Sequence, residues 1–231
     1  MRRNVVLFSG GIDSTTALHW ALHQAKDVQA LTFDYGQRHK VEVRAAGMAA
    51  RKLGVPRTVL KIDLGQVGGS ALTDPAIRLP RYKKLSELRP GPPATYVPFR
   101  NGILLAFAAG WAEARAIREI VCGFNIIDSP DYPDTRPEFV RAMERAVNAG
   151  TKAAFGGAGI KITAPFIRMK KSEIIRWGLA HGADYSYAVS CYAGNEIPCG
   201  TCSSCLLRER AFAEAGARDP LIERLGRRRR P

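Results

Sequence analysis

Short apolar runs alternate with longer amphipathic segments along this chain. The apolar runs predict strands over residues 4–8, 28–33, 58–62, 119–123 and 160–165. The amphipathic segments between them predict helices over residues 15–24, 40–53, 102–116, 137–152 and 171–180. Strands that alternate with helices in this way are typical of a parallel sheet covered by helices. We therefore expect an α/β fold with a doubly wound, mostly parallel sheet, in which ligands bind at the carboxyl ends of the strands.

The first predicted strand leads directly into the sequence Ser-Gly-Gly-Ile-Asp-Ser at residues 9–14. Gly10 and Gly11 tolerate the positive φ values of a tight turn and leave backbone N–H groups open to an anion. Ser9 and Ser14 add hydroxyl donors, and the helix that follows presents the positive end of its dipole. The loop lacks the lysine of the P-loop that holds β- and γ-phosphates. The pattern therefore indicates nucleotide binding without γ-phosphoryl transfer, and an ordinary glycine-rich turn is the alternative.

Residues 64–95 are rich in proline and glycine and have no sustained period. Segments of this length are uncommon unless they are functional, so we interpret this one as a flap near the site or as a surface excursion. It leads into Pro98, Arg100 and Asn101 at the start of an apolar helix. Arg100 is placed to hold a phosphate or a carboxylate, or to form a salt bridge.

A second polar cluster follows the predicted strand 119–123. Its carboxylates lie between a strand and a helix and suit the amidine-like edge of a purine, although turn residues with a helix cap from Asp134 or Thr135 are the alternative. Lys171 begins a later helix at the same edge of the sheet and is placed to neutralise pyrophosphate, or to be an exposed lysine beside a capping Glu173. The cluster comprises Asn125, Asp128, Asp131, Tyr132, Pro133, Asp134, Thr135 and Arg136.

Four cysteines near the C-terminus form a further motif: Cys191, Cys199, Cys202 and Cys205. Two overlapping C-x-x-C steps and a fourth thiol upstream suit tetrahedral zinc with every position filled, which predicts a structural Zn²⁺ site. An iron–sulfur cluster is the alternative. The fifth cysteine, Cys122, lies in an apolar run and is expected to be a small buried hydrophobe.

The chain of 231 residues carries 35 Lys and Arg against 21 acidic residues, a formal charge of +14 that attracts anions such as nucleotides. Nucleic acid is a less expected partner, because no aromatic residues interleave with the arginines at 227–230. We find no signal peptide or apolar span of bilayer length and expect a cytoplasmic protein. We predict an ATP-binding α/β domain over residues 1–184, a cysteine-rich zinc subdomain over 185–225 and a basic tail over 226–231.

Taken together, these motifs resemble the 7-cyano-7-deazaguanine synthases (QueC), in the superfamily of ATP pyrophosphatases. The resemblance runs nearly end to end and includes the loop at 9–14, which is similar to the pyrophosphate loop of that superfamily. The other matching motifs are Thr32-Phe33-Asp34-Tyr35-Gly36-Gln37-Arg38-His39, Val97-Pro98 with Arg100-Asn101, Tyr132-Pro133-Asp134 with Arg136, Lys171 with Glu173, Ser190-Cys191-Tyr192 with the cysteine triplet, and Leu207-Arg208.

The resemblance implies a Rossmann-like fold of the adenine nucleotide alpha hydrolase type and a reaction on small molecules. ATP would activate the carboxylate of 7-carboxy-7-deazaguanine, ammonia would give an amide, and a second activation and dehydration would give the nitrile. Mg²⁺ would accompany ATP, the four cysteines would bind zinc, and the protein would be a homodimer. The implied catalytic residues are Asp13, Arg100, Asp134, Arg136 and Lys171, and the implied ATP-binding residues are Phe8, Ser9, Gly10, Gly11, Ile12, Asp13, Ser14, Thr15, Thr16, Ala17 and Leu18.

The sequence departs from the family pattern at Pro130, Asp131 and Thr135, where Ser, Gly and Cys are common. If this loop lines the deazapurine pocket, the departures leave two alternatives: an enzyme that stops at the amide, and one that joins the carboxylate to another amine. A tRNA-directed enzyme is a hypothesis of a different class. A nucleotide-sensing module without turnover is the non-enzymatic alternative.

Overall fold

The computed structural model describes residues 3–25, 27–128, 131–195 and 197–227. Its centre is a five-stranded sheet in the order β3-β2-β1-β4-β5, and every neighbouring pair is parallel. This confirms the predicted sheet. The strands are β1 (Arg3–Leu7), β2 (Asp27–Asp34), β3 (Arg57–Lys61), β4 (Glu119–Val121) and β5 (Lys161–Thr163).

Helices cover both faces of the sheet. Val5 of β1 packs in a cluster with Leu105 and Val140, whereas Val6 packs on the other face with Leu18 and Ala46. Neighbouring residues of a strand point to opposite faces, so β1 is buried on both sides. The helices are α1 (Ile12–Gln24), α2 (Val41–Lys52), α3 (Arg100–Glu113), α4 (Pro137–Gly150), α5 (Lys152–Phe155), α6 (Lys171–Ala180), α7 (Ser203–Ala215) and α8 (Pro220–Arg227).

Several predicted boundaries shift by a few residues. Helix α1 begins at Ile12 and α3 at Arg100, earlier than predicted, while α6 has the predicted bounds. Strand β4 ends at Val121, although the Cys122 N–H still donates to the Thr163 carbonyl at 2.9 Å. At Gly123 the chain passes so close to α1 that a Cβ atom would lie 2.7 Å from the Asp13 carbonyl oxygen. This contact brings the loop after β4 against the loop after β1.

The order of the strands places the site. After β1 the chain forms β2 and β3 on one side of β1, and it then returns to form β4 and β5 on the other side. The point where the strand order reverses leaves a crevice at the carboxyl ends of β1 and β4, which is where open α/β sheets bind ligands.

Residues 64–95 contain two short 3₁₀ helices, Leu64–Gln66 and Leu85–Glu87. Near its start Ser70 and Ala71 are fully buried, whereas residues 74–94 are half-buried or exposed, as expected of a surface excursion. The Leu72 carbonyl accepts a hydrogen bond from Arg38 N–H, and Tyr82 N–H donates to the Thr201 carbonyl at 2.7 Å. The segment is therefore attached both to the loop after β2 and to the loop that carries the cysteines.

The C-terminal residues pack on the α1 and α6 side of the sheet. Tyr185 and Phe212 share a buried cluster with Ile12 of α1 and Ile175 of α6. The division at residues 184 and 185 remains a prediction. Pro130 and the tail residues 228–231 lie outside the described residues. Of the helices in the described ranges, none combines the length and the apolar character that crossing a membrane requires.

Candidate functional site

The loop at residues 9–14 forms one wall of a cavity at the carboxyl end of β1. Gly10 has a φ of +88°, and a Cβ there would lie 2.9 Å from the Ala46 Cβ and N atoms, so both the conformation and the contact with α2 require glycine. Ser14 Oγ donates to the Gly11 carbonyl and accepts from Gly10 N–H. These bonds hold the loop against the start of α1, and the free N–H groups at a helix N-terminus are suited to bind an anion.

Gly11 behaves differently from the sequence-based expectation. Its φ is −80°, and it is the residue that caps α1. The nearest atoms to a Cβ at Gly11 would be Glu42 Oε1 and Ser9 Oγ, both at 3.5 Å, which is ordinary contact. Gly11 lines the cavity, so its missing side chain leaves space for a ligand. It is not needed for a positive φ in the turn.

The cavity has a volume of about 290 Å³ and lies where the sheet order predicts a binding crevice. Its apolar wall includes Phe8 after β1, Phe33 of β2 and Leu104 of α3. Its polar wall is drawn from most of the loops at this edge of the sheet. The polar side chains that line it belong to Ser9, Asp13, Ser14, Tyr35, Gln37, His39, Glu42, Arg100, Asn101, Asn125, Tyr132, Thr135, Lys171, Ser190, Tyr192, Ser204 and Arg208.

Lys171 and Asp13 meet in this cavity as an ion pair. Lys171 Nζ donates to Asp13 Oδ2 at 2.5 Å, and the two side chains are largely buried. The second carboxylate oxygen, Asp13 Oδ1, is buried and has no hydrogen-bond partner. A buried anionic oxygen without a partner is costly, so this atom is a ready ligand for a cation.

Asp128 holds the helix that carries Lys171. One oxygen of Asp128 accepts a hydrogen bond from Lys171 N–H at 2.5 Å, at the start of α6. The other accepts from Arg210 of α7 at 2.5 Å, and the Asp128 side chain is only 9% exposed. A carboxylate at a helix N-terminus is favoured by the helix dipole. Asp128, in the loop after β4, thus fixes the backbone at the start of α6, from which the Lys171 side chain reaches Asp13.

Arg100 enters the cavity from the first turn of α3. Its guanidinium donates to the hydroxyl of Tyr35 at 3.4 Å, and no carboxylate of the described residues lies within ion-pair distance of it. Burial opposes the charge, but interaction with Tyr35 keeps the pKa of Arg100 above its ordinary value. Burial also raises the pKa of the Tyr35 phenol, so that phenol stays neutral. Arg100 is therefore a permanent cation placed to receive an anion.

Asp134 and Arg136 do not line the cavity. Asp134 is buried beneath the start of α3, where its Oδ2 accepts from Asn101 N–H at 2.9 Å and its carbonyl accepts from the Asn101 amide. Arg136 is exposed at the start of α4. Both roles remain predictions, and the contacts of Asp134 are those of a residue that positions the neighbouring Asn101.

The predicted ATP-binding residues also divide into two groups. Phe8, Ser9, Gly11, Ile12, Asp13 and Ser14 line the cavity, and Gly10 shapes its loop. The other four lie deeper in α1: Ala17 and Leu18 pack in the core, Thr16 hydrogen-bonds to Tyr185, and Thr15 is buried without a partner for its hydroxyl.

His39 and Glu42 line the cavity and were not among the predicted site residues. His39 Nε2 lies 3.0 Å from Glu42 Oε2, and the imidazole lies between the rings of Tyr35 and Tyr192. Their place in the sequence could have indicated the site, because Tyr35, His39 and Glu42 follow the carboxyl end of β2, which lies at the same edge of the sheet as the other motifs.

The four C-terminal cysteines come together as predicted. Their sulfur atoms all lie within 4.8 Å of one another, and Cys199 Sγ and Cys205 Sγ are 3.9 Å apart. Tetrahedral zinc with sulfur at about 2.3 Å requires sulfur atoms about 3.8 Å apart, so these residues could hold such an ion. The N–H groups of Cys199 and Cys202 donate to the sulfurs of Cys191 and Cys199 at 3.3 Å, which favours the thiolate form.

The cysteine cluster supports one end of the cavity. Ser190 and Tyr192 flank Cys191 and line the cavity, as does Ser204 next to Cys205. Arg208 of α7 is buried, forms a two-bond pair with Asp219 and donates to the Ala188 carbonyl. Loss of the cluster would therefore disturb the cavity wall without removing any group from inside it.

Cys122 lines the cavity after β4, and its character is that of a buried hydrophobe. Its Sγ donates to the Thr163 carbonyl at 3.5 Å. Burial raises the pKa of this thiol far above the ordinary value, so it remains protonated and unreactive.

Comparison with known proteins identifies the family. The family described as "Queuosine biosynthesis protein QueC" matches residues 3–216. The 7-cyano-7-deazaguanine synthase of Azotobacter vinelandii is 48% identical over 95% of this chain and 97% of that protein, and the one of Nostoc punctiforme is 47% identical over 94% and 98%. A solved 4-thiouridine synthetase in complex with RNA and ATP shares the fold, with a TM-score of 0.50 and 20% identity over 97% of this chain and 53% of that one. The chain belongs to the QueC family of queuosine biosynthesis proteins.

Proposed function

We propose that this protein is an ATP-dependent enzyme that converts 7-carboxy-7-deazaguanine and ammonia to 7-cyano-7-deazaguanine by way of an amide. Family membership supplies the substrate class. The observation that carries the proposal is the cavity itself, which has an anion-binding loop on one side and, on the other, a guanidinium without a carboxylate partner. Such a cavity suits a nucleotide and a second, carboxylate-bearing substrate together.

The chemistry explains why two anion sites are needed. A carboxylate is a poor electrophile until one of its oxygens becomes part of a leaving group. Attack of that oxygen on the α-phosphorus of ATP forms an acyl adenylate and releases pyrophosphate. Negative charge builds on the β- and γ-phosphates during this step, and the N–H groups at residues 9–14 are placed to stabilise it. Lys171 adds a cation beside that loop.

Arg100 is proposed to hold the carboxylate before it reacts. A guanidinium pairs with both oxygens of a carboxylate, which fixes the plane of the group. Tyr35 supports the guanidinium from one side, and Asp134 orients the first turn of α3 through Asn101. Loss of Arg100 would weaken the binding of the acid and the positioning of its oxygen.

Asp13 is proposed to bind Mg²⁺ together with ATP through its unpaired oxygen, Oδ1. A carboxylate oxygen beside phosphate groups fits the preference of Mg²⁺ for hard oxygen ligands. The ion supplies charge neutralisation for the phosphates. Lys171 occupies the other oxygen of Asp13 and holds the carboxylate in this orientation.

We also propose that the ion in the cysteine cluster is a structural Zn²⁺. Four thiolates fill every position of a tetrahedral site, which leaves none for water or substrate. Cys202→Ser should then lose the ion and several kcal/mol of folding free energy, since structural zinc contributes directly to folding. Metal analysis and urea unfolding test this, and metal-free protein as stable as the wild type would contradict it.

A homodimer and a reducing cytoplasmic location that keeps these thiols free belong to the same proposal. Sedimentation tests the oligomeric state.

A second candidate is an enzyme that stops at the amide. Thr135 lines the cavity at a position where cysteine is common in the family, and its hydroxyl donates to the Tyr132 carbonyl at 2.8 Å. The departure from the family pattern thus lies in the wall of the site.

One experiment separates these functions. Purified protein is incubated with Mg-ATP, ammonium and 7-carboxy-7-deazaguanine, and the deazapurine is followed by mass spectrometry. We expect the nitrile. Accumulation of the amide would favour the second candidate, and unchanged acid would overturn both. Arg100→Gln should raise the KM for the acid by more than the KM for ATP, whereas Arg141→Gln serves as a matched control because Arg141 is exposed on α4 and outside the cavity.

A further inference from the structure

The proposed reaction releases protons that a group in the cavity must accept. Ammonia adds to the acyl adenylate to give the amide, AMP and one proton. The amide oxygen then attacks a second ATP, which gives an O-adenylated imidate, pyrophosphate and one proton from the amide nitrogen. Cleavage of the C–O bond finally gives the nitrile and AMP and releases the last N–H proton. A base close to the nitrogen is therefore needed in both halves of the reaction.

The cavity offers few candidates for this base. Of the described residues that line it, only Asp13 and Glu42 carry carboxylates, and only His39 carries an imidazole. Asp13 is occupied, since one of its oxygens is paired with Lys171 at 2.5 Å and the other is the proposed ligand of Mg²⁺. Glu42 has no lysine or arginine within ion-pair distance among the described residues.

The contacts of Glu42 leave one of its oxygens free. Oε2 lies 3.0 Å from His39 Nε2, within ion-pair distance. Oε1 has no hydrogen bond in the described part of the chain and lies 3.5 Å from where a Cβ on Gly11 would be. The free oxygen therefore lies beside the loop that holds the phosphates, where the activated carbon must also be.

His39 holds this carboxylate in place. Its side chain is only 5% exposed, and it is packed between Tyr35 and Tyr192. Glu42 itself is 15% exposed and lies in the first turn of α2, where the helix dipole favours a carboxylate. Arg100 lies across Tyr35 from this pair, so a carboxylate held by Arg100 lies within the same cavity.

Resting on the proposed function, we propose that Glu42 is the base that takes the nitrogen protons in both halves of the reaction and that His39 is its positioning residue. Glu42 would touch the substrate nitrogen through Oε1. His39 acts through Glu42 alone, by keeping Oε2 occupied and Oε1 directed into the cavity.

The test separates the step that needs no base from those that do. Exchange of labelled pyrophosphate into ATP, driven by the acid without ammonia, reports adenylation of the carboxylate. Conversion of the synthetic amide to the nitrile reports proton removal. Both are measured for the wild type, for Glu42→Gln, for His39→Gln, which retains a donor near the Nε2 position, and for Glu138→Gln, a control at an exposed glutamate in the first turn of α4.

We expect Glu42→Gln to keep pyrophosphate exchange within about threefold and to lose nitrile formation from the amide by about 100-fold or more. His39→Gln should lose less, and Glu138→Gln should match the wild type. If excess Mg²⁺ restores nitrile formation by Glu42→Gln, or if pyrophosphate exchange falls together with nitrile formation in this variant, Glu42 is a cation ligand and the inference is overturned. If Glu42→Gln forms nitrile at a rate within about threefold of the wild type, this inference is overturned and the proposed function stands. A wild type that makes neither product overturns the proposed function, and this inference with it.

Discussion

Replacing Gly10 by alanine should destabilise the fold more than replacing a glycine whose only constraint is its positive φ. Gly10 has a φ of +88°, and the new methyl group would lie 2.9 Å from the Ala46 N and Cβ atoms. Ala46 is fully buried in α2, which packs against the sheet, so its backbone cannot turn aside as the end of a long side chain would. The Gly10 carbonyl is also fixed, by a hydrogen bond from Val189 N–H at 3.1 Å.

The magnitude has two parts. A left-handed conformation costs a residue with a Cβ about 1–2 kcal/mol. Forcing a methyl group into a packed contact costs about 1–3 kcal/mol more. Gly216 provides a matched control, because its φ is +69° and a Cβ there would meet nothing within 4 Å. Gly10→Ala should therefore lose about 2–5 kcal/mol and Gly216→Ala about 1–2 kcal/mol.

Urea unfolding of the two variants beside the wild type measures this difference. For a chain of this length each kcal/mol lowers the melting temperature by about 2–4 °C, so thermal unfolding should separate the two variants by about 2–12 °C. Equal losses for Gly10→Ala and Gly216→Ala would show that α2 moves away from the loop at no cost, and would refute the argument that this contact requires glycine.

Three further changes have distinct expected outcomes. Gly11→Ala should cost less than about 1 kcal/mol in unfolding, because the site is an unstrained helix cap, yet weaken ATP binding by about tenfold or more in calorimetry, because its methyl group enters the cavity. Asp128→Asn should lose about 2 kcal/mol in urea unfolding through its charged bonds, and Arg210→Gln less, because Arg210 is 40% exposed. Burial lowers the pKa of His19 below 6.5, so its contribution to stability is complete above about pH 6.5 and is lost as the pH falls through the lowered pKa. His19→Leu should therefore flatten the acid side of the stability curve, and an unchanged slope would contradict this assignment.

The sheet and much of the site could be predicted because they depend on short stretches of sequence. The apolar runs of β1 and β2 and the helix α6 follow from local periodicity. The loop at 9–14 follows from glycines beside small hydroxyl residues. The cysteine cluster follows from spacing, since two C-x-x-C steps keep three thiols close together within residues 199–205.

Positions that depend on packing between distant segments were harder to predict. Both glycines of the loop were expected to be able to adopt positive φ, but only Gly10 does, and only at Gly10 would a Cβ clash with the backbone of α2. The carboxylate of Asp134 was expected at the cavity, but it lies beneath α3, where its Oδ2 accepts a hydrogen bond from Asn101 N–H.

Glu42 shows most clearly where local pattern stops being informative. In the sequence it is one acidic residue in the first turn of an amphipathic helix, as Glu138 also is. In the fold it faces the loop after β1, since β2 lies next to β1 and its loop opens at the same edge of the sheet. Periodicity encodes which face of an element is buried, whereas the order of strands in the sheet decides which loops meet. The residue types and local elements of this protein thus follow from its sequence, but the partners of Glu42, Asp134 and Asp13 follow from the strand order and from the packing of α1, α2 and α3 upon the sheet.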